Sequence, residues 1–259
     1  LGVLAEMEFR TLTKRVSEQF KVAAPAIAQT AQPKDGKDEI SKIQDFTSKT
    51  YARVSDMAEL EAWVTQIYER GTVAVDTETT GLNDMRADLV GISLCVEAGN
   101  ACYIPLTHKD AGSDDLFGSD TLAEGQLDLD AVLTVLKPLL EDPAVLKIGQ
   151  NMKYDAKILA RHDITIAPID DTMLLSYALH AGLHNHGMDA LSERYLNHTP
   201  IPIKPLLGSG KSAITFDRVP IDDAVPYAAE DADITLRLWQ LFKPRLHQNQ
   251  VTRIYESME

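Results

Sequence analysis

Apolar residues in this chain follow two rhythms: short unbroken runs, and longer stretches where they recur every three or four positions. The runs "TVAVDTET" (72–79), "LVGISLCVE" (89–97) and "ACYIPLT" (101–107) predict β-strands. The connections "GLNDMRAD" and "AGN" are short enough for hairpins, so these three strands are expected to be antiparallel neighbours. A further short strand is expected in "VLKIGQN" (145–151). Helical spacing appears in "SDMAELEAWVTQIYERG" (55–71), with Ser55 as the expected N-cap and Gly71 as the stop. It recurs at 129–142, where Pro138 is expected to bend the helix, and at 152–163, 167–181 and 188–197. The longest such stretch, 221–246, predicts a terminal helix despite Pro226 near its start.

Between these elements lie a polar loop at 109–126 and a Pro- and Gly-broken excursion at 199–220. Residues 1–20 carry a helical pattern, and 21–49, rich in Ala, Gln, Lys and Pro, read as a linker. A compact domain is expected from about Thr50 to 245. Three strands, then alternating helix and strand, then helices describe an α/β fold with a mixed sheet covered by helices.

The strand at 72–79 contains a conflict. It opens on Val73, Ala74 and Val75, then places Asp76 and Glu78 two residues apart. Alternate residues of a strand share a face, so two negative charges stand side by side on a sheet. Such a pair is costly to desolvate and repels itself. Two further acidic motifs lie downstream. In "GQNMKYDAKIL", Asn151 and Asp155 are four apart, and in "YAAEDADITL", Tyr227 and Asp231 are four apart. That spacing puts each pair on one helical face. If the strand and both helices converge, Asp76, Glu78, Asp155 and Asp231 form a cluster that only cations make tolerable. Oxygen ligands without Cys or His favour hard divalent ions such as Mg²⁺ or Mn²⁺. A pair of such ions about 3.5–4 Å apart is the arrangement that drives in-line displacement at phosphorus.

Composition changes this picture in one respect. The 259 residues are 44% hydrophobic and 25% charged, ordinary for a globular protein, but the formal net charge is −14. That argues against a broad basic surface for nucleic acid. Two divalent ions would add four positive charges where a phosphate must sit. No run of about 18 apolar residues occurs, so no membrane partner is expected, and the N-terminal stretch lacks a signal-peptide pattern. Cys95 and Cys102 are expected to be buried, reduced thiols of a cytoplasmic protein.

The ordered set "DTET", N-x-x-x-D and Y-x-x-x-D resembles the proofreading 3′→5′ exonucleases with four acidic ligands, in the subgroup with tyrosine in its last motif. More closely, "LKIGQNMKYDAKIL", "DDTMLLSYALHA", "MDALSERYLNH" and "YAAEDADITL" are similar to the exonuclease domain of bacterial DNA polymerase I, over roughly residues 50–245. At the ends, "MEFRTLTKRV" resembles the close of a 5′-nuclease region and "NQVTRIYESME" (within 246–259) the entry to a polymerase region. The resemblance implies a middle piece of a longer, nucleoid-associated bacterial enzyme with a ribonuclease H-like fold. It implies removal of nucleoside 5′-monophosphates from single-stranded or frayed DNA 3′ ends, with the polymerase domain as partner. One cation would be held by Asp76, Glu78 and Asp231 and activate a water, which Tyr227 orients. A second, bound through Asp76 and supported through water by Asp155, would stabilise the departing oxygen. Leu82 matches an apolar position that wedges the terminal base, and Gln150, Asn151 and Tyr154 match positions along the strand path. Two positions depart from the pattern. Asn185 stands where a well-known member has an arginine near the scissile phosphate, and Ile203 where it has a base-contacting phenylalanine.

Two alternatives stay open at this level: a ribonuclease D-like exoribonuclease, which shares the tyrosine motif, and a non-catalytic spacer of a polymerase. "LLGSGKSA" (206–213) is not a phosphate loop, because the template needs glycine where Pro205 stands; Lys211 is read as part of a flexible loop. His180, His184 and His186 lack an adjacent Cys or acid, and a hydrated loop is preferred over a zinc site.

Overall fold

The computed structural model describes residues 42–110, 121–210 and 213–258, together with 16, 19 and 20. The helix expected over 1–20 lies almost entirely outside them, as do most of the expected linker, positions 111–120 and Lys211. Contacts divide the chain into Leu1–Glu39 and Ile40–Glu259, and every element below belongs to the second unit.

Six strands form one mixed sheet. They are β1 (Thr50–Arg53), β2 (Thr72–Thr79), β3 (Leu89–Glu97), β4 (Asn100–Pro105), β5 (Leu146–Gly149) and β6 (Ile169–Asp171), in the order β1-β4-β3-β2-β5-β6. The expected hairpins are present: β2 pairs antiparallel with β3, and β3 with β4. The outer pairings, β1 with β4, β2 with β5 and β5 with β6, are all parallel. Central strand β3 is buried along its whole length except Glu97, which explains its unbroken apolar run.

The two faces of β2 meet different partners. Val73 and Val75 join a large core with α1 (Met57–Arg70) and α2 (Leu129–Glu141), which contributes Leu60, Trp63, Ile67, Val132, Leu136 and Leu140. Burying each such aliphatic side chain is worth about 1.5–3 kcal/mol. On the other face Ala74, with Cys95 and Ala101, meets Ala229, Ala232 and Leu236 of the long helix α7 (Ile221–Gln248). Small side chains on both sides let α7 lie close against the strands. α7 crosses the sheet over β1 to β5. Cys95 and Cys102 are buried free thiols.

The remaining helices are α3 (Lys153–Ala160), α4 (Thr172–His180), α5 (Met188–Leu191, continuing into a wide turn at Ser192–Leu196), α6 (Ile203–Leu207) and α8 (Thr252–Met258). Helix α2 runs through Pro138, and α7 through Pro226 and Pro244.

Two local expectations are corrected, and one strand appears that the pattern left unassigned. The cap of α1 is Asp56, not Ser55: Asp56 Oδ1 accepts from Glu59 N at 2.9 Å, while Glu59 Oε2 accepts from Ser55 N at 2.7 Å. Thr50–Arg53, unassigned by pattern, pairs as an edge strand. The helix expected from Ala167 begins only at Thr172, because Ile169–Asp171 is extended on β5 and Asp171 caps the helix. A three-residue strand leaves no period to read, so only its partner strand reveals it.

Candidate active site

Asp76 and Glu78 lie on the face of β2 that α7 covers, and α7 brings Asp231 down onto them. One carboxylate oxygen from each of the three residues lies within 4.8 Å of the others. Glu78 is 8% exposed, and Asp76 and Asp231 are half-buried. Among the described residues no lysine, arginine or histidine forms an ion pair with any of them. The Asp76 carboxyl is therefore pushed well above the usual range, first by burial, then by the charges of Asp155, Glu78 and Asp231. Glu78 is raised for the same reasons, with Asp231 its main charged neighbour. Burial lifts Asp231 to about 7, against a hydrogen bond from Tyr227 that favours the anion. Three oxygen donors converging without a counter-charge suit a divalent cation, and the donor set contains no softer atom.

The fourth carboxylate is held differently. Asp155, 3% exposed, projects from the first turn of α3, and its Oδ1 accepts from Thr77 N at 3.0 Å and Thr77 Oγ1 at 2.5 Å. Thr77 is the middle residue of "DTE", so its side chain points to the opposite face from Asp76 and Glu78. Asp155 stands outside the group of three, yet its charge is the largest that Asp76 feels. Burial raises Asp155 itself to about 7, opposed by the two Thr77 bonds. Thr77 escaped the sequence reading because it contributes no charge; its place between two acids was the available signal.

Tyr227 lies one turn before Asp231 and is close enough to hydrogen-bond its carboxyl. Burial, then Asp231, Glu78 and Asp76, drive its pKa upward, so the phenol keeps its proton.

The expected substrate-path residues differ in freedom. Leu82 is 98% exposed at the tip of the β2–β3 loop. That loop is firmly held: the Tyr154 hydroxyl donates to the Gly81 carbonyl and lies 2.6 Å from Thr79 Oγ1, and Lys157 pairs with Asp84 at 2.6 Å. Tyr154 thus supports the Leu82 loop. Gln150 is 8% exposed and engaged at both ends, donating to the His186 carbonyl at 2.9 Å and accepting from Thr172 Oγ1. Asn151 adopts a left-handed φ of 61° and donates its N–H to Asp171 Oδ1. Asp171 also accepts from the backbone of Met152, Met173 and Leu174, joining the turn before α3 to the start of α4. That role was missed, although an Asp before a helical run is a capping signal.

Asn185 is exposed, with Oδ1 accepting from Gly187 N, and Ile203 is 37% exposed. The histidines nearby have neighbours of their own: His186 Nδ1 is 2.8 Å from Ser176 Oγ, and His184 Nε2 is 2.8 Å from Tyr195 Oη. His180 is pushed down to about 4, chiefly by burial.

A family model described as 3′–5′ exonuclease matches residues 51–247, which takes in the whole carboxylate cluster. The chain belongs to this 3′–5′ exonuclease family. The chain is 48% identical over 223 residues to DNA polymerase I of Rhizobium leguminosarum, covering 83% of this chain and 22% of the relative. It is 44% identical over 199 residues to DNA polymerase I of Pseudomonas aeruginosa, covering 76% and 21%. The chain thus spans about a fifth of the length of these curated relatives. Among solved structures, Escherichia coli RNase D superposes with a TM-score of 0.58 at 17% identity, over 80% of this chain and 48% of that one. This likeness is one of fold, and the fold of the exonuclease domain is ribonuclease H-like. No helix among the described residues is long and apolar enough to cross a membrane.

Proposed function

We propose that the exonuclease domain removes nucleoside 5′-monophosphates one at a time from DNA 3′ ends, as the proofreading part of a DNA polymerase, with two divalent cations of the Mg²⁺ or Mn²⁺ class. The observation that carries this reading is the convergence of Asp76, Glu78 and Asp231 within 4.8 Å, with no lysine, arginine or histidine among the described residues paired to them. Asp76, Glu78 and Asp231 would hold the ions, and Asp155, fixed by Thr77, adds charge at the edge of the same site. When bound, the ions supply Lewis acidity that makes a water nucleophilic and offsets charge on the departing 3′ oxygen.

The chain's own groups do the positioning. Tyr227 keeps its proton at neutral pH, so its hydroxyl orients the attacking water rather than removing a proton from it. Water oxygen bonds to the terminal phosphorus as the bond to the 3′ oxygen breaks. Leu82, fully exposed on a braced loop, is suited to pack against the terminal base. Gln150, Asn151 and Tyr154 shape the strand path largely through the turns they hold. With a net charge of −14 the domain offers little general affinity for a polyanion. The attached polymerase domain would supply the rest, so the fragment alone should bind single-stranded DNA weakly.

The test is hydrolysis of 3′-labelled single-stranded DNA with Mn²⁺ or Mg²⁺, with and without chelator, beside an RNA of the same sequence. Release of 5′-monophosphate from DNA that stops on chelation is expected. Faster trimming of RNA would favour a ribonuclease D-like role, and no release from either strand would favour a spacer.

A further inference from the structure

Cross-strand partners on a sheet point to the same face. Glu78 is paired with Gly91 on β3, and Gly91 with Pro105 on β4; Asp76 is paired with Ser93, and Ser93 with Tyr103. Tyr103 therefore lies in the row of Asp76, while the row of Glu78 has a gap at Gly91. A Cβ built on Gly91 would overlap the hydroxyl and ring of Tyr103. The phenol leans into that gap and carries its hydroxyl toward Glu78. Consistent with that placement, burial and then the charges of Glu78 and Asp76 raise the Tyr103 pKa.

The hydroxyl is not free. Tyr103 Oη lies 2.8 Å from His108 Nε2, and His108 Nδ1 lies 2.9 Å from the carbonyl oxygen of Val219. A carbonyl can only accept, so Nδ1 carries the proton, Nε2 presents its lone pair, and Tyr103 donates to it. The phenolic proton is turned away from Glu78, leaving the carboxylate oxygens for a cation. Both side chains are 0% exposed, and burial holds His108 neutral. Val219 immediately precedes Pro220, the N-cap of α7, which carries Tyr227 and Asp231. Lys109 N bonds the Asp217 carbonyl at 2.6 Å, and the Phe216 ring lies 5.9 Å from both His108 and Tyr227.

We infer that His108 is a positioning residue of the exonuclease site. Through Tyr103 on one ring nitrogen and Val219 on the other, it sets the gap between the β2 carboxylates and the α7 groups that face them. It ties the floor beneath Glu78 to the root of the helix that delivers Asp231. The inference rests on the cluster's being a cation site.

The experiment compares the full chain with His108→Leu, His108→Gln and Tyr103→Phe. Mn²⁺ affinity is read by calorimetry, kcat at saturating Mn²⁺ by nuclease assay, and Tm alongside. Wild type is measured first: no Mn²⁺ binding there would overturn the cation reading, and this inference with it. Given binding, His108→Leu and Tyr103→Phe should each weaken Mn²⁺ about tenfold, at the lower end of losses seen when groups supporting metal ligands are removed. His108→Gln, whose amide offers both a donor and an acceptor, should recover to within about twofold on the same scale. Tyr103→Phe keeps the ring in the Gly91 gap, so it tests the link even if His108→Leu fails to fold. Folded variants with wild-type affinity and kcat would overturn the inference, as would a Gln variant no better than the Leu variant.

Discussion

Two neighbouring regions of α7 hold acids under opposite circumstances. Glu230, 1% exposed, receives Lys49 Nζ and His198 Nε2 at 3.1 Å each and Ile201 N at 2.7 Å. Asp233, wholly buried, receives Arg237 Nε, Tyr51 Oη and Gly99 N, all at 2.8 Å. Arg237 in turn donates to the carbonyls of Ile43 and Asp45 and lies 4.0 Å from the Phe46 ring, so residues 42–49 are fastened to α7. Asp231 sits between these two acids in sequence; it accepts from Tyr227 and faces Asp76 and Glu78, and among the described residues no lysine, arginine or histidine forms an ion pair with it. A buried charge with its counter-charge built in serves the fold. One without it is completed only by something that binds.

The sharpest way to break this comparison is to neutralise one acid of each kind. Asp231→Asn should lower exonuclease turnover about 10³-fold, the loss of several kcal/mol of charge stabilisation, while raising Tm in chelator because a repelling charge is gone. Asp233→Ala should do the reverse: destabilise by about 3–5 kcal/mol in urea unfolding, since it strands Arg237, yet leave turnover per folded molecule near wild type. Equal losses of stability in the two variants would erase the distinction.

Next in size is the response to pH. Asp155 and Asp231 titrate near 7 when folded, against 3.8 when unfolded. Between about pH 4 and 7 the folded state binds more protons, so their contribution to stability falls as pH rises through that window. Buried histidines work in the opposite sense, because the folded pKa of His180 is near 4 against 6.5. The discriminating quantity is therefore the difference between Tm profiles with and without Mn²⁺. Mn²⁺ should stabilise increasingly from pH 5 to 8, and a gain independent of pH would count against a carboxylate site.

The smallest expected effect sharpens the site rather than the charges. Leu82→Ala removes an exposed side chain, so stability should change by less than about 0.5 kcal/mol. Hydrolysis of single-stranded DNA should still fall severalfold if Leu82 packs against the terminal base, seen as a higher KM in steady-state assays.

Much of this was legible in the chain. Apolar runs separated by tight turns predicted the β2–β3–β4 hairpins, and the i, i+2 and i, i+4 spacings named the acids that gather near β2. These are short-range properties, set by the pleat of a strand and the pitch of a helix. Strand β6 was not legible, because three extended residues gain their meaning from β5 alongside, whereas the capping role of Asp171 had a local signal that the helix expected from Ala167 covered.

Sequence alone determined the family, the order of the hairpin strands and the main helices, and which residues could carry the chemistry. It did not separate Asp231 from Glu230 and Asp233, nor reveal that Thr77 claims Asp155 or that Tyr103 fills the space beside Gly91. Only the tertiary structure decided these, because each depends on what a side chain meets from a distant part of the chain. Whether a buried carboxylate finds a cation there, a hydroxyl, or another carboxylate fixes both its energy and its use.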